Sequence, residues 1–335
     1  MTGDRPIGRR LAVNLAGLGL LARAGCRPAV AADVASWATH PVTVLVPFVP
    51  GGSSDIVARA MAVPMQAAIG QPVVVENRVG ANGEVAARAL IRSPRDGHTM
   101  MIGSIGTYAI NVAVRKRLGY DPLKDFTPIT LAATTPSVLV VNPRLIQATD
   151  LDGVLSWLRA NRRTAAYSSS GFGSSDHMAM ELFKQTTGAD IAHVPYSGGG
   201  AAAADLIAGN VQLSFQNVSS VANYVQGGLL RPILVSAGER SAVLPQVPTG
   251  LEVGLKDFVV LSWQGIAGPA GLPEPLLQGV SDAVRAALKD ANTSRRLSEI
   301  GFDVVASAPS DFASFLAAEI ARWRDVARDA RIEPE

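Results

Sequence analysis

Cysteine is almost absent from this chain. Cys26 is the only one, and it lies in a stretch that reads as a leader. Beyond it there can be no disulfide, no thiol nucleophile and no thiolate metal ligand. Histidine is scarce as well. His40, His98, His177 and His193 are scattered without metal-ligand spacing, so no metal site is expected. No G-x-G-x-x-G follows the first strand and no G-x-x-x-x-G-K-[ST] occurs, which excludes the common nucleotide loops, and no cofactor is expected. No G-x-S-x-G elbow surrounds a serine. No apolar run reaches the roughly 20 residues of a membrane span.

The leader itself is legible. Arg5, Arg9 and Arg10 precede a short apolar run over 11–21, and Ala29 and Ala31 frame a small-x-small cleavage site. Residues 1–31 are therefore expected to be a removable signal peptide, directing export to the periplasm. The Arg9-Arg10 pair admits twin-arginine export, with general secretion the preferred route. Arg23, three before Cys26, stands where a lipid-anchor motif has an aliphatic residue. Five of the 30 basic residues and one of the 28 acidic residues lie in this leader, so the remainder carries a formal charge of −2. That balance offers no footprint for nucleic acid. A soluble monomer is expected.

What the rest contains is alternation. β-favouring runs over 42–46, 73–75 and 99–102 are separated by helical patterns over 55–69 and 83–92. The pattern returns with strands over 138–141, 165–168, 191–194, 211–215 and 232–236. Helices over 151–160, 175–187 and 200–208 lie between them, the last two closed by Gly188 and Gly209. From Pro273 on, two amphipathic helices surround a short strand over 302–305. The implied fold class is α/β, with two α/β domains. Domain 1 is discontinuous, 41–136 plus 259–330, and domain 2 is 137–258. Two chain crossings make a two-strand hinge suited to closure on a ligand. Pro64 interrupts the first helix and predicts a kink after Val63.

Ligands of open α/β sheets sit beyond the carboxyl ends of the strands. Three strand-to-helix loops there share one design. Residues 47–55 carry Gly51, Gly52, Ser53, Ser54 and Asp55, residues 168–175 carry five serines and two glycines, and residues 195–200 carry Tyr196 and Ser197 before three glycines. Glycines admit close approach of backbone N–H groups, and a helix N-terminus adds about half a positive charge. Each loop could instead be a plain capped turn, with Asp55 capping the first helix. Three together read as a cleft that holds an anion from two sides. Ser174 and Ser175 near His177 raise a serine-dependent hydrolase as an alternative, although His177 would sit on the first turn of the helix those serines cap.

At these residues the chain resembles the substrate-binding proteins of tripartite tricarboxylate transporters, the Bordetella uptake gene (Bug) family. Residues 46–52 with Asp55 and Arg59 are similar to that family's first-strand motif, and residues 70–78 and 80–83 to its second-strand block. Residues 96–99 resemble its turn. Residues 193–196 with Gly198 and Gly199, and 244–249 with Glu252 and Gly254, resemble later blocks. The resemblance covers about 42–326. It implies a bilobed periplasmic-binding-protein (Venus flytrap) fold, a small carboxylate ligand, delivery to integral-membrane permease subunits, and no catalysis. Carried over, the ligand residues are Phe48, Gly51, Gly52, Ser53, Ser54 and Asp55 from the first loop. Ser104, Thr107 and Asn111 follow the third strand, and Ser169, Ser170, Gly173, Ser174 and Tyr196 come from the second domain. Where many relatives have an acid, this chain has Gln216, which favours an added carbonyl or carboxylate over an ammonium. A subunit presenting ligand to a membrane signalling kinase would need the same cleft and is the other reading.

Overall fold

The computed structural model describes residues 37–329 and 332–334, and the expected signal peptide lies outside them. In chain order the first half runs β1 (Val42–Val46), α1 (Ser53–Ile69), β2 (Val73–Asn77), α2 (Glu84–Ile91) and β3 (Thr99–Ser104). A π-turn over Gly106–Ile110 leads into α3 (Asn111–Val114). The long strand β4 (Phe126–Val141) follows. Then come α4 (Leu151–Ala160), β5 (Ala166–Ser169), α5 (Ser175–Thr187), β6 (Ala192–Pro195), α6 (Gly199–Ala208), β7 (Leu213–Asn217), α7 (Val218–Gln226) and β8 (Arg231–Val235). The chain ends with β9 (Leu261–Pro269), α8 (Glu274–Lys289), α9 (Ala291–Glu299), β10 (Asp303–Val304) and α10 (Pro309–Asp329).

The strand order is β2-β1-β3-β9-β4-β7-β5-β6. β1 lies parallel between β2 and β3, and β5 parallel between β6 and β7, as crossover helices require. Between these parallel sets, β4 and β9 run antiparallel to their neighbours. β4 changes partners along its length. Phe126 to Pro136 pair with β9, while Ser137 to Val141 pair with β7. One strand thus belongs to both halves of the sheet.

Three quarters of β4 and all of β9 escape the sequence reading, for one physical reason each. Pro128 and Pro136 argue against a central strand. The ladder takes them at a register shift near Pro128 and at the change of partner after Pro136. β9 holds Gly265 and Gly268, which weaken a strand pattern. Here they make room: a side chain on Gly265 would run into Phe312, and one on Gly268 into Leu272. The C-terminal part also departs from expectation, with three helices rather than two. Asp290 separates α8 from α9, its side chain accepting from Asn292 and Thr293 N–H groups. α7 was not anticipated either.

Two apolar clusters fill the two ends of the molecule. Val44, Met61, Met65 and Ile102 pack with Val280, Val284 and Phe302 of the C-terminal part. Val138, Leu206, Val211, Val221 and Val235 pack in the other half. A third cluster joins the halves, running from Tyr108, Trp263 and Phe312 to Phe183, Phe215 and Phe258. Helix α1 runs unbroken through Pro64. The proline's missing N–H frees the carbonyl of Ala60, which Thr293 Oγ1 of α9 takes up at 3.2 Å.

Candidate functional site

The strand ends of β1, β3, β5, β6, β7 and β9 meet at a cleft between the halves, with a cavity of about 300 Å³. That lies at the small end of ligand pockets. Four helices begin at its wall. Ser53 of α1, Ser175 of α5, Gly199 of α6 and Ser219 of α7 are all first-turn residues that line it. Helix α5 is closed by a conventional cap, Ser174 Oγ accepting from His177 N–H at 3.2 Å. The caps of α1, α6 and α7 are Gly52, Gly198 and Asn217, and none makes a side-chain capping bond. Their first-turn N–H groups are available to a bound anion.

The first loop is shaped from behind. Gly51 has φ +82°, a left-handed conformation that suits glycine. Its N–H donates to Asp55 Oδ2 at 2.9 Å. Asp55 also accepts from Arg59 Nε and from Asn77 Nδ2, each at 2.9 Å. Burial pushes the Asp55 carboxyl upward, but the bonds from Arg59, Gly51 and Asn77 outweigh it and hold it below its ordinary value. Asp55 is therefore not the cap of α1. It stands at the third helical position and reaches back to fix the loop, and it does not line the cleft.

Of the other expected residues, Phe48, Gly51, Gly52, Ser53, Ser54 and Ser104 line the first-half wall. Ser170, Ser174 and Gln216 line the second. Five lie one layer back. Thr107 and Asn111 are buried and donate to the carbonyl of Asn82 at 3.2 and 3.0 Å. Ser169 Oγ bonds His193 Nε2 at 2.7 Å. Tyr196 donates to Asp205 Oδ2 at 2.6 Å, and Gly173 packs on Asn82 and Val114.

Asn82 is a wall residue the sequence reading left out. Its φ of +49° is left-handed, which asparagine tolerates, and it sits between Gly80 and Gly83. Its Nδ2 donates to Asn111 Oδ1 at 2.9 Å and crosses the cleft to the carbonyl of Gly173 at 3.1 Å. On the far side, Asn217 Nδ2 donates to Ser53 Oγ at 3.1 Å. The two walls are thus tied at both edges. Gln264 of β9 also lines the cleft, bonded to Ser54.

No arginine, lysine or histidine side chain lines the cleft among the described residues. Among the described residues the one acid on the wall is Asp176, at the start of α5. It accepts from Ser170 N–H (3.1 Å) and Ser170 Oγ (2.5 Å), and burial raises its carboxyl above the ordinary value against those bonds.

The histidines are not scattered in space. His177 and His193 stack at 4.3 Å behind the second wall, and His40 stacks on His98 at 3.6 Å. Burial, with the neighbouring His193, drives His177 down to about 3, which makes it too weak a base to activate a serine. Ser174 Oγ meets its backbone N–H rather than its ring. His40, Asp96 and His98 do bring three ligand-type atoms within 4.8 Å of one another. Thr39 N–H donates to His98 Nε2 at 3.1 Å, and His98 Nδ1 lies 3.4 Å from Asp96 Oδ1.

The family model for the tripartite tricarboxylate transporter family receptor matches residues 57–331. The chain belongs to that receptor family. Protein BugT of Bordetella pertussis is 33% identical over 310 residues, covering 92% of this chain and 94% of BugT. Among solved structures, Rpa4515 of R. palustris with adipate superposes with a TM-score of 0.85 at 35% identity, covering 89% of this receptor and all of that chain. MatC (Rpa3494) from Rhodopseudomonas palustris with bound malate gives 0.81 at 34% identity, covering 86% and 99%. The receptor has the α/β fold of these binding proteins, and among its described residues no helix is long and apolar enough to cross a membrane.

Proposed function

We propose that this receptor captures a small organic acid in the cleft by its carboxylate, in the periplasm, and delivers it unchanged to the membrane subunits of a tripartite transporter. One observation carries the reading: uncapped N-termini of α1, α6 and α7 meet at a cavity that no cationic side chain among the described residues lines. Such a wall favours an anion through fixed N–H dipoles rather than a salt bridge. Relatives holding adipate and malate support the ligand class. We take the lobes as 41–136 with 259–330, and 137–258. The chain would cross between them where β4 leaves β9 for β7 and again just before β9, and both strands would flex on opening.

The test is calorimetry and thermal shift of the purified receptor with mono-, di- and tricarboxylates and their uncharged amides. An acid binding with Kd in the micromolar range or tighter, about −8 kcal/mol or better, recovered intact by mass spectrometry, is expected. Equal binding of the amides, or no binding of any acid, overturns it. Deleting the gene should abolish uptake of that acid. Retained uptake with lost gene induction would make the protein a sensor subunit instead.

A further inference from the structure

Two side-chain atoms flank the first turn of α1 without partners. Gln264, in the middle of β9, is 1% exposed and lines the cleft. Its Oε1 accepts from Ser54 Oγ at 2.5 Å. That length belongs to an O–H···O bond and is too short for N–H···O, so the carbonyl side of the amide faces Ser54. Nε2 keeps both hydrogens and has no partner. Across the terminus, Asn217 spends Nδ2 on Ser53 Oγ, and its Oδ1 has no partner. Ser53 and Ser54 are consecutive, so an unused donor and an unused acceptor bracket one uncapped helix N-terminus. Unmade hydrogen bonds at a dry site are costly, and a ligand that makes them is selected over one that does not.

On the reading that the cleft holds an organic acid, we propose that the group seated at α1 is a 2-hydroxycarboxylate. Both unpartnered atoms are closed off from the cavity in the ligand-free structure, so the two side chains turn toward it as the acid seats, and the carboxylate then accepts from the α1 N–H groups and from Gln264 Nε2. The hydroxyl on the adjacent carbon donates to Asn217 Oδ1. A plain carboxylate satisfies Gln264 and leaves Asn217 Oδ1 unpaired. A 2-amino acid could also donate to Oδ1, but Ser53, Ser54, Asn217 and Gln264 carry no carboxylate to pair its ammonium, and Asp55 beside them is spent on Gly51, Arg59 and Asn77, so burying that charge carries a heavy desolvation cost. Gln264 and Asn217 are thereby specificity-determining residues for the acid.

The experiment is calorimetry on receptor freed of bound ligand, with matched pairs: lactate and propionate, malate and succinate, 2-hydroxyadipate and adipate. In the tightest pair the hydroxy acid should bind at least about tenfold more tightly. Asn217→Ala also loses the bond to Ser53 and should weaken both acids, but the hydroxy acid by at least about tenfold more, closing that gap. The variant should fold, since Asn217 makes no side-chain bond to α7, and circular dichroism checks this. Gln264→Leu should weaken both members of the pair. Equal affinities within the pair, a gap that survives Asn217→Ala, or tighter binding of aspartate than of malate each overturns the proposal while leaving the receptor function standing. If no acid binds at all, the functional reading falls and this one with it.

Discussion

Replacing Asp55 by asparagine tests how the first loop is held. The carboxylate accepts from Gly51 N–H, Asn77 Nδ2 and Arg59 Nε, each at 2.9 Å. Asparagine fits the same volume but keeps one acceptor atom and turns an NH2 donor toward other donors. Hydrogen bonds to a charged group contribute about 1.5–3 kcal/mol each. The Arg59 bond counts for less, because its side chain is 52% exposed and solvent screens it. Losing one good bond and weakening another gives about 2–3 kcal/mol. At about 2 °C per kcal/mol for a large domain, that is a drop of roughly 5 °C in Tm. The sign with pH is fixed by the lowered folded pKa. The ionised carboxylate stabilises the fold above the ordinary carboxylate pKa, and this is lost as pH falls through the lowered one. Scanning calorimetry of both proteins at pH 7 and at pH 3 should therefore show a large difference that shrinks in acid. Affinity for the acid should fall too, because the Gly51 N–H loses its anchor. A Tm within 1 °C of the parent at pH 7, together with an unchanged Kd, would refute the account.

Other outcomes follow from the same geometry. Asp176→Asn removes a buried acid whose pKa is raised, so the parent loses stability as pH rises through that pKa and the variant does not; urea midpoints that run parallel from pH 4 to 8 would contradict this. His177 and His193 are lowered to about 3 and about 4, chiefly by burial, so stability is lost as pH falls from about 6.5 toward 4. In the Asp176→Asn background, a urea midpoint flat over that window would rule it out. Asn82→Gly keeps the left-handed backbone and removes the bond to Gly173 across the cleft. The ligand-free receptor should then show a larger radius of gyration by X-ray scattering with its Tm nearly kept, and an unchanged radius would deny Asn82 that role.

The parts of the site legible in the sequence are those whose signal is local. Glycine and serine between a β run and a helical run marked the loops before α1, α5 and α6, because the chemistry that opens a helix N-terminus is written in adjacent residues. The start of α7 gave no such sign, since Asn217, Val218 and Ser219 carry no glycine and read equally well as a turn. Thr107 and Asn111 were placed one layer too far forward. They hold Asn82 from behind, and the π-turn that carries Thr107 and runs up to Asn111 has no sequence marker. The bond between Ser54 and Gln264 joins residues 210 positions apart, and only the strand order brings them together. In the same way Pro128 and Gly265 spoke against strands that bulges and close aromatic packing then made possible.

The placement of β9 beside β3 has a consequence for how the chain comes together. β1, β2 and β3 are complete by residue 104, yet β3 finds its second neighbour only when residues 261–269 arrive. The first ten or so residues of β4 wait for the same segment. Until then one end of the molecule has an open sheet edge, and Phe302 of its core has not yet been made. Assembly thus hinges on pairings between residues more than a hundred positions apart, a topology that slows folding. A chain emerging from its amino end stays unfinished until nearly its whole length is present.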